Sequence, residues 1–171
     1  QILRPDLFNW IESELLDIED ILLSPTLVPY GRASKAAAQS LLAKMYLNAE
    51  VYTGISRWTD CINYCNKVIN DGSFSLDDNY SHLFMADNHN SPEIIFPVCF
   101  DGNFTQTWGG ATFLINAAIG STMDPADYGS SGGWNGLRAT PTFVNAFSDS
   151  TTDSRWKFHT KGEKVISGDT V

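Results

Sequence analysis

Two helical segments with clear end signals, residues 35–52 and 58–70, constrain the fold of this chain most. Ser34 stands at an N-cap position, before a run of Ala, Leu, Lys and Gln, which are good helix formers. Thr53-Gly54 ends the first segment and Asp71-Gly72 ends the second, since glycine readily takes the left-handed conformation just past a helix. The short link between them predicts a helical hairpin.

Both segments carry an apolar stripe with the three- and four-residue steps of a helix. The stripes consist of Ala38, Leu41, Leu42, Met45, Tyr46, Ala49 and Tyr52 in the first segment and of Trp58, Cys61, Ile62, Cys65, Val68 and Ile69 in the second. Residues 5–23 repeat the pattern and predict an earlier helix, whose acidic residues form a solvated face. We expect Trp10 and Trp58 to be core residues, because both lie on apolar stripes.

One short strand is predicted at residues 93–100, which are apolar and partly β-branched, with Pro97 indicating an edge or a bulge. The three cysteines are an odd number and do not make a disulfide framework. Free cysteine behaves as a small apolar residue. We therefore expect Cys61 and Cys65 to be buried between helices and Cys99 to lie in the core of the strand.

From residue 101 onward the composition changes to Gly, Ser, Thr, Asn and aromatic residues, which indicates long irregular structure. The predicted fold is therefore mostly α, with helical hairpins, a long irregular loop region and little β structure. Residues 1–100 form the helical scaffold with its terminal strand, and residues 101–171 form the loop region of the same domain. Loops of this length are often functional, which makes this region the place to look for a site.

Sugar binding is the chemistry that this loop region favours. Trp108 and Trp134 each stand next to two glycines, which allow the backbone to expose a large ring. The C–H face of a pyranose stacks on such a ring, and polar side chains bond the hydroxyl groups. Asp127, Tyr128, Asn135 and Arg138 are the polar candidates. The alternative for both tryptophans is packing that anchors the loops.

Motifs for catalysis, metal binding or phosphate binding are missing from the sequence. It contains no HExxH, no Cys/His metal spacing, no phosphate-binding glycine loop and no GxSxG. His89 follows Asp87 closely, but two such residues lack the remaining ligands of a metal site. We therefore predict a protein without catalytic residues, metal or cofactor. The net charge of −9 argues against nucleic acid and anionic membranes as direct partners.

Four groups of motifs follow one another along the chain: Gly31–Ala38 with Lys44–Leu47, Trp58 with Val68–Leu76, Tyr80–Phe84 with Ser91–Phe96, and Thr142–Phe147 with Asp153–Arg155. In their order and spacing they resemble the SusD/RagB family of bacterial outer-membrane glycan-binding lipoproteins, and the hairpin loosely resembles a tetratricopeptide repeat. Asp153 and Arg155 are a family marker that we expect to pair locally. The family's sugar contacts do not form a fixed motif, so the resemblance transfers none of them to numbered positions.

The resemblance implies a protein that binds oligosaccharide or polysaccharide, with a starch-type α-glucan as a reasonable ligand, and cleaves nothing. It also implies the extracellular face of the outer membrane, a lipid anchor outside these residues, and delivery to a TonB-dependent, SusC-like transporter. We expect the chain to be a central piece of a longer protein. One alternative is a helical scaffold that binds the transporter without a sugar site. Another alternative is a glycosidase. Exposed, coplanar rings at Trp108 and Trp134 would favour sugar.

Overall fold

The computed structural model describes residues 2–85, 87–100, 104–105, 107–120, 122–147, 151–153 and 155–159, together with the backbone of 165–166 and 169–170. The chain forms two compact units, Gln1–Cys99 and Phe100–Val171. Helices dominate the described residues, which confirms the prediction of a mostly α fold. In that part of the chain, no helix is both long enough and apolar enough to cross a membrane.

The described residues of the first unit form four α-helices and two short 3-10 helices. The α-helices are α1 (Arg4–Glu19), α2 (Lys35–Leu47), α3 (Ala49–Thr53) and α4 (Trp58–Asp71), and the 3-10 helices are Tyr80–Phe84 and Asn88–Asn90. Helix α2 packs against both α1 and α4, so the predicted hairpin is confirmed. Gly54 and Gly72 end α3 and α4 at φ angles of 80° and 76°, as the end signals predict.

Three predicted helix details differ in the structure. Helix α1 ends at Glu19 rather than near Leu23, and the residues that follow form turns. The predicted single helix over 35–52 is broken at Asn48, whose side chain donates to the Lys44 carbonyl oxygen at 2.9 Å. This local bond competes with the helical backbone pattern. Ser34 is the N-cap of α2, but its buried hydroxyl has no partner among the described residues.

The predicted strand at residues 93–100 is wrong, because these residues adopt turns and irregular backbone. Pro92 and Pro97 remove two backbone donors from this stretch and its start, and the Pro92 carbonyl accepts a bond from Ser75 N at 3.3 Å. Two-residue strands β1 (Val165–Ile166) and β2 (Asp169–Thr170) pair antiparallel in the second unit instead. Little β structure is present among the described residues, as predicted.

The core of the first unit is small and centred on α2. Phe8, Leu42, Tyr46 and Ala49 are buried together, and Leu15, Met45, Cys61 and Tyr64 pack against them. Three consecutive buried alanines, residues 36–38, let the neighbouring helix backbones approach α2 closely. Trp10 and Trp58 are 57% and 49% exposed, so the prediction that they are core residues is wrong.

A polar network joins α1 to α2 and α4, while parts of the apolar stripes are exposed. Two carboxylates of α1, Glu12 and Glu19, point toward α2 and α4, which contradicts the prediction that the acidic residues of the first helix form a solvated face. Glu19 accepts hydrogen bonds from Gln39 at 2.9 Å, Tyr64 at 2.9 Å and Lys67 at 2.8 Å, and Glu12 accepts from Tyr46 at 2.8 Å and Arg57 at 3.1 Å. Helix α4 therefore turns its Tyr64 face inward and leaves Ile62 and Ile69 exposed.

The cysteine predictions hold only in part. Cys61 is half-buried and packs against the core, whereas Cys65 and Cys99 are exposed. Cys65 is exposed rather than buried because of the orientation of α4. Cys99 is exposed because residues 93–100 do not form the predicted strand. All three side chains are free thiols.

The second unit contains more helix than its composition indicates. Its helices are α5 (Gly110–Ala118), a 3-10 turn at Pro125–Tyr128 and α6 (Pro141–Val144). The prediction of irregular structure is therefore wrong for α5, while residues 130–140 between the last two helices are irregular as expected. Phe143 and Phe147 pack edge to face against Phe158 at 5.7 and 5.2 Å between ring centroids.

The local pair of Asp153 and Arg155 is confirmed. The guanidinium group donates to both carboxylate oxygens, at 2.9 and 2.7 Å, in a bidentate arrangement. These bonds, followed by one from the Arg155 backbone N–H, lower the pKa of Asp153 to about 2. The pair lies next to the cluster of Phe143, Phe147 and Phe158, since Arg155 also lies over the Phe147 ring at 5.7 Å.

Candidate functional site

The candidate site of the second unit is built on the C-terminal end of α5. The last carbonyl groups of an α-helix have no partner within the helix. Here the backbone N–H groups of residues 134–137 donate to them. The bonds run from Trp134 to Asn116 O at 2.7 Å, from Asn135 to Ile119 O at 3.0 Å, and from Gly136 and Leu137 to Ala117 O at 2.9 and 2.7 Å. An irregular segment is thereby fixed to a regular element.

Two glycines allow this close approach. A Cβ atom at Gly133 would lie 2.5 Å from the Ile119 carbonyl oxygen, and one at Gly120 would lie 2.9 Å from the Asn135 Cα. Both distances are shorter than any normal contact, so only glycine fits at either position. Asn135 itself has a φ of 56°, a left-handed conformation that asparagine tolerates better than most residues. The backbone conformation beside Trp134 therefore depends on Gly120, Gly133 and Asn135.

The loop before this segment is tied to α5 by side chains. Ser130 donates to the Asn116 side-chain oxygen at 2.7 Å, and the Asn116 amide donates back to the Thr112 carbonyl at 2.9 Å. Upstream, Asp124 caps the 3-10 turn at Pro125–Tyr128 by accepting from Ala126 N at 3.0 Å. Asp127 and Tyr128 are both exposed on this turn.

Three aromatic rings form what we call the aromatic platform: Trp108, Trp134 and Phe113. The rings of Trp108 and Trp134 lie 6.2 Å apart between centroids with 36° between their planes, and Phe113 of α5 lies 6.3 Å from Trp134. Trp108 is 83% exposed and Trp134 is 44% exposed. The structure thus brings the two predicted tryptophans together and leaves both accessible. Their planes are tilted rather than coplanar.

The polar candidates divide into two groups. Arg138 donates to the Asn135 side-chain oxygen and, at 2.6 Å, to the Leu137 carbonyl, so Asn135 and Arg138 lie together immediately after Trp134. Within the described residues, no hydrogen bond or ring contact joins Asp127 or Tyr128 to the aromatic platform. The structure therefore brings Trp108 together with Trp134 and Asn135 together with Arg138, and the second pair follows Trp134 directly in the chain.

His82 and His89 make local contacts. His82 Nδ1 lies 3.0 Å from Asp77 Oδ1, beside an open cavity of about 240 Å³ in the first unit. His89 packs edge to face against Tyr30 at 6.3 Å. Among the described residues, no group of three or more His, Cys, Asp or Glu side chains is placed to hold a metal ion.

Comparison with known proteins adds the family. No model of a protein family matches the chain. In an alignment of 152 positions that covers 86% of this chain, the sequence is 38% identical to "Starch-binding protein SusD" of Bacteroides thetaiotaomicron. The chain is a member of the SusD-like family. It spans about a quarter of the length of that relative, since the match covers 27% of it.

In this SusD-like chain, the sequence analysis did not predict the residues that support the aromatic platform. Phe113 extends the aromatic surface, and Asn116 and Ser130 hold the loop against α5. The run from Gly110 to Ala118 holds Ala, Leu and Ile residues that favour a helix, and it follows a glycine pair. These helix-forming residues could have predicted α5, but the Gly and Thr residues around them indicate irregular structure.

Proposed function

We propose that this SusD-like chain contributes to non-catalytic binding of oligosaccharide or polysaccharide at the bacterial cell surface, with a starch-type α-glucan as ligand. The observation that carries the proposal is the exposed pair of Trp108 and Trp134, in which the backbone of Trp134 is fixed to α5. Sugar rings stack on such faces, and a preformed aromatic surface binds them without an ordering cost. The name of the relative supports starch as the ligand.

The geometry also favours a curved ligand within this proposal. Two rings whose planes differ by 36° contact successive sugars that are rotated relative to one another, as the glucose units of an α-glucan are. Asn135 and Arg138, next to Trp134, supply acceptors and donors for hydroxyl groups. Asp127 and Tyr128 remain candidates for a more distant sugar unit.

For the longer protein we propose the setting that the family resemblance implies. A lipid anchor outside these residues holds it on the extracellular face of the outer membrane. There it hands bound sugar, uncleaved, to a TonB-dependent, SusC-like transporter. The second candidate function is a scaffold that binds the transporter and has no sugar site. The exposed apolar stripe of α4, with Trp58, Ile62 and Ile69, favours this candidate, since such surfaces often bind proteins.

The test is calorimetric titration of the protein with soluble oligosaccharides, α-glucans first. We expect Trp134→Ala and Trp108→Ala each to weaken binding by tenfold or more, which corresponds to about 1.4 kcal/mol. Trp10→Ala is the matched control, because Trp10 is also an exposed tryptophan but lies on α1 in the first unit. Circular dichroism verifies that all three variants fold.

Binding that survives both loop substitutions would place the sugar site elsewhere. If no sugar binds and Trp58→Ala weakens binding to the transporter, the scaffold function is the correct one.

A further inference from the structure

Two free thiols lie one turn apart on α4. Cys61 and Cys65 occupy positions i and i+4, whose Cβ atoms are about 5–6 Å apart on a helix surface. Cys61 is half-buried against the core and Cys65 is exposed. Burial raises the pKa of Cys61, and the neighbouring Cys65 raises it further, as expected for two sulfurs in close proximity. The pair lies in the first unit and is not among the residues of the proposed sugar site.

We infer that Cys61 and Cys65 form a two-sulfur binding site for a soft, thiophilic centre, and that trivalent organic arsenic is the ligand class that fits it best. Thiolates select soft centres over hard ones. A structural zinc site needs four protein ligands, and the described residues place no third His, Cys, Asp or Glu beside the two sulfurs. A trivalent arsenic that carries one organic group needs two sulfurs only.

The spacing of the two side chains suits such a chelate. Two sulfurs bonded at about 2.3 Å to one pyramidal As(III) centre lie less than about 4.6 Å apart. Side chains whose Cβ atoms are about 5–6 Å apart reach that separation by side-chain rotation, with no change in the helix backbone. The exposure of Cys65 leaves the open side of the centre in solvent, where the organic group has room.

The reaction needs no oxidant. With phenylarsine oxide as the probe, two S–As bonds form and the As–O bonds to the oxide oxygen break. The oxygen leaves as water with the two thiol protons, and arsenic remains trivalent. The product bridges one turn of α4, and we therefore expect the amide hydrogens of this helix to exchange more slowly after the reaction.

The experiment uses the full chain with Cys99→Ser, which leaves only the α4 pair. Intact mass should show one arsenical for each chain, and both thiols should be protected from alkylation. The matched control carries Cys65→Ser with Asn63→Cys, which keeps two thiols but places them two residues apart, on different sides of the helix. Asn63 and Cys65 are both exposed, so the exchange leaves the core unchanged.

We expect the control to bind the arsenical at least about tenfold more weakly, because the second bond loses its intramolecular advantage. Equal affinity in the two variants overturns the inference. So does an adduct that joins two chains, or α4 amide exchange that the arsenical leaves unchanged.

Discussion

At the scale of single residues, Glu19 carries the most specific physical consequence. Its carboxylate is buried between α1, α2 and α4 and accepts bonds from Gln39, Tyr64 and Lys67. Burial raises the pKa of this group, but the bonds from Lys67, Gln39 and Tyr64 lower it more, and the net pKa lies below its usual value. A carboxyl with a lowered pKa in the folded state stabilises that state only while it is ionised.

This network predicts how stability depends on pH. The contribution of Glu19 is complete above its unfolded pKa of about 4.3 and is lost as the pH falls through the lower folded pKa. We expect Glu19→Gln to reduce the free energy of unfolding by about 1–3 kcal/mol at neutral pH, with a smaller difference in acid. Denaturant unfolding followed by helical circular dichroism at several pH values measures both effects.

Glu14→Gln is the control for this experiment, since Glu14 is an exposed carboxylate on the same helix. It should change the unfolding free energy by no more than about 0.5 kcal/mol. A neutral-pH loss of the same size in both variants would mean that general charge, rather than the Glu19 network, is responsible.

The sequence predicts residue roles that depend on near neighbours in the chain, but it does not predict roles that depend on residues far away in sequence. Gly72 as a helix end and Asp153 with Arg155 as a pair each depend on neighbours within a few positions. The burial of Glu19 depends on Gln39 and Lys67, which lie 20 and 48 positions away. No periodicity in α1 reveals which carboxylate meets those donors, because the pattern reports hydrophobicity and not the partner helix.

At the scale of elements, the docking of residues 134–137 on the end of α5 is the arrangement on which the candidate site depends. Gly133→Ala places a Cβ atom 2.5 Å from the Ile119 carbonyl oxygen, so the segment must move away from the helix. We expect this variant to weaken sugar binding by tenfold or more, although the substitution touches neither tryptophan ring. Calorimetric titration with the best-bound α-glucan is the measurement.

The neighbouring glycine provides a matched control. A Cβ atom at Gly132 would meet nothing within 4 Å, so Gly132→Ala should bind sugar as the unchanged protein does. If Gly133→Ala also binds normally, then the backbone docking does not position the aromatic platform.

Element prediction succeeded where a segment carried both a pattern and end signals. Helices α2 and α4 have both, and their positions were predicted to within a few residues. Helix α5 lies among Gly and Thr residues and was missed. The inward face of α4 was also missed, because it is the face whose Tyr64 bonds to Glu19 of α1, whereas Trp58 and Ile62 are exposed.

At the scale of the whole molecule, the net negative charge of the chain distinguishes an uncharged ligand from charged ones. The chain carries a net charge of −9, and a neutral glucan gains nothing from this field. We expect the affinity for an uncharged α-glucan to change by less than about twofold between low salt and about 0.5 M salt. Titrations at the two ionic strengths measure this, and a steep loss of affinity with salt would contradict a stacking mechanism.

The candidate site was predictable in composition but not in arrangement. Exposed rings at Trp108 and Trp134 follow from the glycines beside them, whereas their separation of 6.2 Å depends on α5 and on bonds from residues 134–137. Asp127 and Tyr128 looked equally suitable in the sequence. Among the described residues, no hydrogen bond or ring contact joins the 3-10 turn that holds them to the platform, which a list of polar residues cannot reveal.

Main-chain anchoring of Trp134 has a consequence for how such a surface changes over evolutionary time. The bonds that fix this position use its backbone N–H and those of the next three residues, and none of them uses the indole ring. A different aromatic or polar side chain can therefore occupy the position while the loop keeps its path. Selection for a new sugar can act on one codon at a time, without first losing the shape that presents the side chain.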